Sequence, residues 1–453
     1  MVSLKLSGLA LYLAAVKQTV YPGNFNAILD APASKSCMQR ACALALLHKG
    51  ATIISKPGKS NDDLAAIQII QNLGAVTEER DGALHIYSNS IRPVSNSIHC
   101  GESGLAVRMF TPIAALGSAE MHIDGEGSLL KRPLHFMEEI LPQLGVTVTS
   151  NGGFLPLKVN GPLQNNRIRI DASDSSQYLT GLLMAFAHCG KPGTIEVINL
   201  NSKPYIDLTL QMMQHFGYEV KNEQYQKFEI APYDFNKAGK INYAVEGDWS
   251  NAAFFLVAGA IAGKVVLKNL NLYSRQADKE ILKVLKLAGV HISIADDEIM
   301  VRKSILKAFQ FDATHCPDLF PPLLALAAYC EGVSIIEGTE RLLHKESNRA
   351  LTLQQEFSKF GVGISIREGK MFIEGKKELT AASIFSHNDH RIAMACAVAA
   401  LGANGAVNIE AAGAVNKSYP GFFDTLQMAG IKICQINRVM IYLLPLLLQC
   451  SLT

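Results

Sequence analysis

Residues 34–50 read SKSCMQRACALALLHKG, a polar cluster that opens an Ala- and Leu-rich run ending on a glycine, and the pattern returns five more times. The other copies are SGLAVRMFTPIAALG (103–117), SSQYLTGLLMAFAHCG (175–190), WSNAAFFLVAGAIAG (249–263), DLFPPLLALAAYCEG (318–332) and DHRIAMACAVAALG (389–402), spaced by roughly 70 residues. A further amphipathic run follows each copy and ends on a second glycine, at Gly74, Gly145, Gly217, Gly289, Gly361 and Gly430. The chain therefore reads as a six-fold repeat with two helices per unit. Polar and basic residues gather at the same end of helix after helix, so the repeat predicts a floor of helix N-termini suited to anions.

Between the helices lie short β-branched runs such as ATIIS, GTIEVINL and KVVLKNL, and each unit closes on two strands around a turn, as in VHISIADDEIMVRK and VGISIREGKMFIEG. Alternating apolar positions around Asp-Gly, Asp-Asp or Glu-Gly mark hairpins. Each unit is thus βαβαββ, with a strand such as RIRIDA or INYAVEG feeding its first helix. Packing three such units would bury the Ala-rich helices and leave the hairpin sheets outside. The fold class is α/β, and 453 residues exceed one ordinary core, so two domains of three repeats each are expected.

A net charge of +2, from 42 basic and 40 acidic residues, excludes a basic nucleic-acid arm and a broad membrane-binding face. Any anion site must come from local clustering. Nine cysteines, mostly inside apolar helical runs (Cys42, Cys189, Cys330, Cys396), fit reduced, packed thiols of a cytoplasmic protein. No CxxC pair and no HExxH is present, so no metal site is expected. LSGLALYLAAV, after Lys5, has little flanking charge and no clear cleavage site, which argues against a signal peptide. VMIYLLPLLLQC is short for a bilayer span and contains Pro445; RVMIYLL, after an Ile436-Asn437 turn, reads as the last strand of the sixth repeat, and PLLLQCSLT is a tail without a place in the repeat.

Chemistry concentrates at the helix starts. APASKSCMQR sets Ser34, Lys35, Ser36 and Arg40 on one opening turn, SHNDHRIAMA sets Asp389, His390 and Arg391 on another, and HCPDLF sets Asp318 on a third. A capping role is the plain explanation for either aspartate. HKESNR brings Lys345, Glu346 and Arg349 into one turn, and the i, i+4 spacing puts two cations on one face, which costs stability unless an anion sits between them. Pro133 and Pro204 stand where the first turn of a second helix tolerates proline. Solvated helix ends would explain any one of these basics, but Arg132, Lys345, Arg349 and Lys417 fall at equivalent points of related units, and such points converge in a pseudo-symmetric fold.

Taken together and in order, APASKSCMQRA, GESGLAVRMF, GSLLKRPL, DSSQYLTGLLM, SKPYIDLTL, VEGDWS, HCPDLFP, HKESNRAL, NDHRIAMA and NKSYPGFF resemble the 5-enolpyruvylshikimate-3-phosphate synthase family over nearly the whole chain. The resemblance implies the two-domain enolpyruvyl-transferase fold, an inside-out α/β barrel pair hinged at two crossings near Ala33 and Glu246. Residues 1–33 plus 247–453 would form one domain with repeats four to six, residues 34–246 the other, with the active site between them. The implied reaction moves the enolpyruvyl group of phosphoenolpyruvate to the 5-hydroxyl of shikimate 3-phosphate and releases phosphate, with no cofactor, no nucleic acid, no membrane and a monomeric enzyme.

Carried over residue by residue, the resemblance makes Lys35 the lysine that touches phosphoenolpyruvate and shuttles protons, with Ser36 and Arg40 on the shikimate part. Gly104, Arg108, Arg132, Arg349, Arg391 and Lys417 match the phosphoenolpyruvate set. Ser175, Ser176, Ser202 and Lys345 match the groups on the 3-phosphate, and Gln177 touches both substrates. Asp318 matches the base at the 5-hydroxyl and Glu346 the acid at the methylene carbon, opposite roles that call for different environments. The chain departs from the family where Ala33 replaces the glycine of LPGSKS, where GESGL replaces GNAGT and puts Leu105 at a small hydroxyl position, at Arg341 near a usual asparagine, and at Asn348 before Arg349. These departures bear on glyphosate sensitivity and affinity.

Two rival readings remain. The sister enzyme that transfers enolpyruvyl to UDP-N-acetylglucosamine carries a Lys-Asn pair where this chain has Lys35-Ser36, and an active loop cysteine whose only counterpart here is Cys100. A non-catalytic binding protein of the same repeats would have no use for Asp318, Glu346 and Lys35 together.

Overall fold

The structure, a computed structural model, describes residues 16–234, 239–295 and 297–437. RVMIYLL, PLLLQCSLT and all but the last residue of LSGLALYLAAV lie outside the described residues.

Six four-stranded sheets share one plan. In the second unit, Ser97–His99 runs parallel to Glu120–Asp124, which pairs antiparallel with Leu157–Asn160, itself hairpinned to Thr147–Thr149. The third and fifth units repeat this with their own strands. The first and fourth units exchange a strand instead. INYA (Ile241–Ala244) leads by chain into the helix Trp249–Ala262, yet it pairs with Gly50–Ser55 of the first unit. Phe25–Asp30, which precedes the first helix, pairs with Gly263–Lys268 of the fourth. The sixth sheet is completed by the N-terminal strand Val16–Val20, which lies between Val407–Glu410 and Ile433–Asn437. The expected turn at Ile436-Asn437 is therefore wrong: both residues belong to a strand, opposite Lys17 and Val16, because the N-terminal strand already fills the hairpin position.

The helices Lys35–Leu47, Gly104–Ala114 and Ser176–His188 pack together, as do Trp249–Ala262, Phe320–Ala327 and His390–Ala400. All of Trp249–Ala262 and His390–Ala400 is buried, as befits helices that are apolar or small on every face. Two hydrophobic cores result. One is built from residues between Cys37 and Val245, the other from Val20, Phe25 and Ala31 with residues from Trp249 to Ile433.

The chain passes between the cores twice, and the passages touch. Ala33 bridges Gly247, Ser34 N donates to Glu246 O at 2.8 Å, and Asp248 N donates to Pro32 O at 2.8 Å. Glu246 also accepts from Ser274 Oγ at 2.6 Å and Gln276 Nε2 at 2.8 Å. These bonds fix where the helices Lys35–Leu47 and Trp249–Ala262 begin, and the starts of the core helices build the site.

Candidate active site

Ser34, Ser103, Ser175, Asp248 and Asp389 cap their helices, accepting from the backbone N–H of Cys37, Ala106, Gln177, Asn251 and Arg391. Side chains just past each cap then face one cavity between the cores. The first core supplies Lys35, Ser36, Arg40, Gly104, Arg108, Arg132, Ser175, Ser176, Gln177 and Ser202 to its lining, and the second supplies Asp318, Lys345, Glu346 and Arg391. Two residues of the expected set stand off this surface. Arg349 is fully buried behind Asp318 and Glu346. Lys417 is held on Glu102 beside a neighbouring hollow that shares Arg132, Lys345 and Glu346 with the main cavity.

Asp318 is not a cap. It lies in the 3-10 turn Pro317–Leu319, and the helix Phe320–Ala327 has no side-chain cap bond, so its carboxylate is free to face the cavity. Its Oδ1 accepts from Arg349 Nη1 at 2.9 Å and Lys345 Nζ at 3.4 Å, and its Oδ2 from Arg391 Nη2 at 3.3 Å. The anion expected between Lys345 and Arg349 is thus Asp318 itself. Those two cations do not share a helical face, since Lys345 lies in a bend and the helix begins at Arg349. Asp389, by contrast, is both cap and counter-ion, accepting from Arg349 Nε at 3.0 Å. Pro204 sits in a first helical turn as expected, whereas Pro133 precedes its helix, which starts at His135.

Both candidate acid–base carboxylates are held ionised. Burial pushes Asp318 up, but Arg391, Lys345 and Arg349 outweigh it and leave the carboxyl far below the usual carboxylate range. Burial likewise raises Glu346, and Arg132 and Arg349, with Lys35, pull it well below the usual carboxylate range. The expected contrast between the two is therefore not present: each sits in a cage of cations. Burial lowers Lys345. Burial would lower Lys35 too, but Asp62, whose Oδ2 lies 2.8 Å from its Nζ, and Glu346 more than compensate.

Other cations have donors to spare. Arg40 is buried, and its acceptors are neutral: Thr209 Oγ1 at 2.9 Å and the carbonyls of Ser36 at 3.0 Å and Tyr205 at 3.4 Å. Arg108 Nη1 reaches Gly104 O at 3.3 Å and Gln177 Oε1 at 3.2 Å, while its Nε is buried without a hydrogen-bond acceptor among the described residues. Arg132 Nε is equally bare, and its Nη2 has Glu346 Oε1 at 3.2 Å as an ion pair but not aligned as a hydrogen bond. A Cβ on Gly104 would lie 2.5 Å from Arg132 Nη1 and 2.8 Å from Arg108 Nη1, so glycine lets both guanidiniums approach one spot. Unsatisfied buried donors of positive charge, converging on a polar cavity, call for an anion.

Residues 20–426 match the family model for EPSP synthase (3-phosphoshikimate 1-carboxyvinyltransferase). The chain belongs to the EPSP synthase family. It is 39% identical over 399 residues to the 3-phosphoshikimate 1-carboxyvinyltransferase of Thermococcus kodakarensis, covering 88% of this chain and 96% of that protein. With its counterpart from Clostridium beijerinckii it shares 34% identity over 423 residues, covering 91% and 97%. The solved EPSP synthase of Acinetobacter baumannii superposes with a TM-score of 0.77 at 26% identity, over 93% of this chain and all of that one.

Membership in the EPSP synthase family disfavours the sister-enzyme reading, and Cys100 supplies a second reason. It is fully buried, and burial with nearby Asp124 pushes its thiol up, the opposite of what a nucleophile needs. Among the described residues no group of His, Cys, Asp or Glu is arranged to hold a metal, and no helix is long and apolar enough to cross a membrane.

Sequence reasoning missed the counter-ions. Asp62 and Asp248 line the cavity, and buried Asp278 accepts from Tyr205 Oη at 2.9 Å. His390, already placed at a helix start by the sequence, lines the cavity too; burial keeps it neutral, and neither ring nitrogen is hydrogen-bonded among the described residues. Asp62 had a faint signal: in SNDD, Asp63 completes a capping box with Ser60, which leaves the neighbouring acid without a local task. Arg341, singled out only as a departure, crosses between the cores to Ser173 O at 2.8 Å and Ser202 Oγ at 3.4 Å.

Proposed function

We propose that this chain transfers the enolpyruvyl group of phosphoenolpyruvate to the 5-hydroxyl of shikimate 3-phosphate. A C–O bond forms from the 5-oxygen to C2 while a proton adds at C3. Loss of that C3 proton with departure of phosphate then leaves the enol ether. The observation that carries the reading is the cavity just described: buried guanidiniums of Arg40, Arg108 and Arg132 with donors unused or satisfied only by neutral groups, facing two ionised carboxylates. Two substrates rich in negative charge supply what the cations lack, and the carboxylates supply proton transfer.

The cages suggest how weakly basic carboxylates become useful. A 3-phosphate taken up by Ser175, Ser176, Ser202 and Lys345 draws Lys345 from Asp318, so the proton affinity of Asp318 rises toward that of a base for the 5-hydroxyl. Phosphoenolpyruvate on Lys35, Arg108, Arg132, Arg349, Arg391 and Lys417 similarly relieves Glu346, which can then hold a proton for C3. Gln177, bonded to Arg108, stands between the two substrates, and Ser36 and Arg40 hold the shikimate ring. Residues 1–33 plus 247–453 and residues 34–246 act as the two bodies of the hinge. The enzyme acts as a monomer in the cytoplasm.

The test is phosphate release from phosphoenolpyruvate with shikimate 3-phosphate, against the same assay with UDP-N-acetylglucosamine. Release with the first substrate alone is expected. Release only with the second overturns the reading.

A further inference from the structure

Arg341 lines the main cavity at a point near which the family usually carries an uncharged asparagine. It belongs to the 3-10 turn Thr339–Leu342 of the second core, and its guanidinium meets neutral acceptors of the first. Nη1 donates to the carbonyls of Ser173 at 2.8 Å and Asp174 at 3.2 Å, and Nη2 to Ser202 Oγ at 3.4 Å, while Nε is buried without an acceptor among the described residues. Burial lowers Arg341, and the charge of Asp174, an exposed residue screened by water, offsets only part of that. Burial lowers Lys345 as well, and Arg349 and Arg341 press it further down against Asp318 and Glu346. Arg341 and Lys345 thus act on each other as like charges, in a lining that also holds Ser175, Ser176 and Ser202. Cations so placed repel unless an anion serves both. Ser202 stands in front of the helix Lys203–His215 and makes no side-chain cap bond, so its hydroxyl is not spent on its own helix. Accepting from Arg341 occupies a lone pair of that hydroxyl and leaves its proton to be donated elsewhere.

We propose that Arg341 is a specificity-determining residue, a second cation beside Lys345 for the 3-phosphate, which this chain thereby reads as a dianion. The inference deepens the substrate reading given above and rests on it. Asparagine at this point has a hydrogen bond to offer a ring hydroxyl but no charge. The guanidinium offers charge, keeps Ser202 turned as a donor, and favours the phosphorylated ring over the bare one.

Calorimetric titration of wild type, Arg341→Asn and Arg341→Lys with shikimate 3-phosphate and with shikimate tests this, in buffer free of phosphate and sulfate. Arg341→Asn weakens shikimate 3-phosphate about tenfold and leaves shikimate within about twofold, because only the charged contact is lost. Arg341→Lys keeps the charge without the fork and weakens shikimate 3-phosphate about threefold, again with shikimate unchanged. In steady state Arg341→Asn raises the KM for shikimate 3-phosphate about tenfold with kcat within about twofold, the mark of lost binding rather than lost chemistry. Equal affinity of wild type and Arg341→Asn for shikimate 3-phosphate overturns the proposal. An equal loss for both ligands overturns it too, since Arg341 would then only hold the backbone of Ser173 and Asp174. Should thermal unfolding show that Arg341→Asn does not fold, a selective loss in Arg341→Lys supports the proposal and an unselective or absent one overturns it. If wild type binds shikimate 3-phosphate but releases no phosphate from phosphoenolpyruvate, the substrate reading fails while the binding comparison still decides this one. If wild type does not bind shikimate 3-phosphate, both fall.

Discussion

Replacing Asp318 by Asn separates chemistry from binding. The amide keeps the shape of the carboxyl but loses its charge, and that charge is shared by Arg349 at 2.9 Å, Arg391 at 3.3 Å and Lys345 at 3.4 Å. Loss of a general base lowers kcat by about 10²-fold or more. Binding moves the other way. A carboxylate roughly 5 Å from a substrate anion opposes it by about 3 kcal/mol at an effective dielectric of 20. Reorganisation of three freed cations takes back much of this, so a net gain of about 1 kcal/mol, or about five- to tenfold tighter shikimate 3-phosphate, is expected. The phosphate-release assay gives kcat, calorimetry gives the affinity, and thermal unfolding checks that the variant folds. Turnover within about tenfold of wild type would remove Asp318 from the chemistry. Weaker shikimate 3-phosphate binding by a folded variant would show that the three cations do not serve the substrate.

Three further outcomes are expected. Glu346→Gln lowers kcat by about 10²-fold while changing phosphoenolpyruvate affinity less, measured by the same assay, and near-normal turnover would refute its role. Asp278 is pushed from 3.8 up to about 6 by burial and the charge of Asp318, so the folded state holds its proton more tightly than the unfolded chain does. The stability that protonated Asp278 contributes is therefore lost as pH rises from about 4 to about 6, and Asp278→Asn, which still accepts from Tyr205 and Ser250, escapes a loss of up to about 3 kcal/mol relative to wild type. Denaturant unfolding at several pH values checks this, and parallel curves for the two proteins would refute it. Lastly, a phosphoenolpyruvate analogue is expected to bind more tightly once shikimate 3-phosphate is present, because the residues proposed to hold the first ligand come from both cores. Equal calorimetric affinities with and without it would contradict that coupling.

The repeat was legible because it is local. Five of the six core helices carry their own side-chain cap, every one runs to a glycine, and Lys35, Arg108 and Arg391 sit within the first two turns after those caps, so their convergence follows from the pseudo-symmetry. What the sequence hid is non-local. No periodicity tells that Ile241–Ala244 pairs with Gly50–Ser55 rather than with the unit it leads into, since both partners are equally apolar strands. The partners of the site cations were hidden for the same reason: Asp62 is 27 residues from Lys35, and Glu102 is 315 from Lys417. Asp318 and Asp389 looked alike as helix-opening acids. Only the backbone geometry separates the one that caps from the one left free.

The sixth sheet ties the first described strand to the last, with Gln18 Nε2 bonded to Gln435 Oε1 across 417 residues of chain. Residues 37–245 form one core from a continuous stretch, so that half can fold while the remainder is still being synthesised. The other half must hold Val16–Val20 and Phe25–Asp30 unpaired until Gly263–Lys268, Val407–Glu410 and Ile433–Asn437 have emerged. Closing so long a loop is slow, and two strands wait unpaired in the meantime. Of all the described strands, the one made first, Val16–Val20, is among the last to find its place.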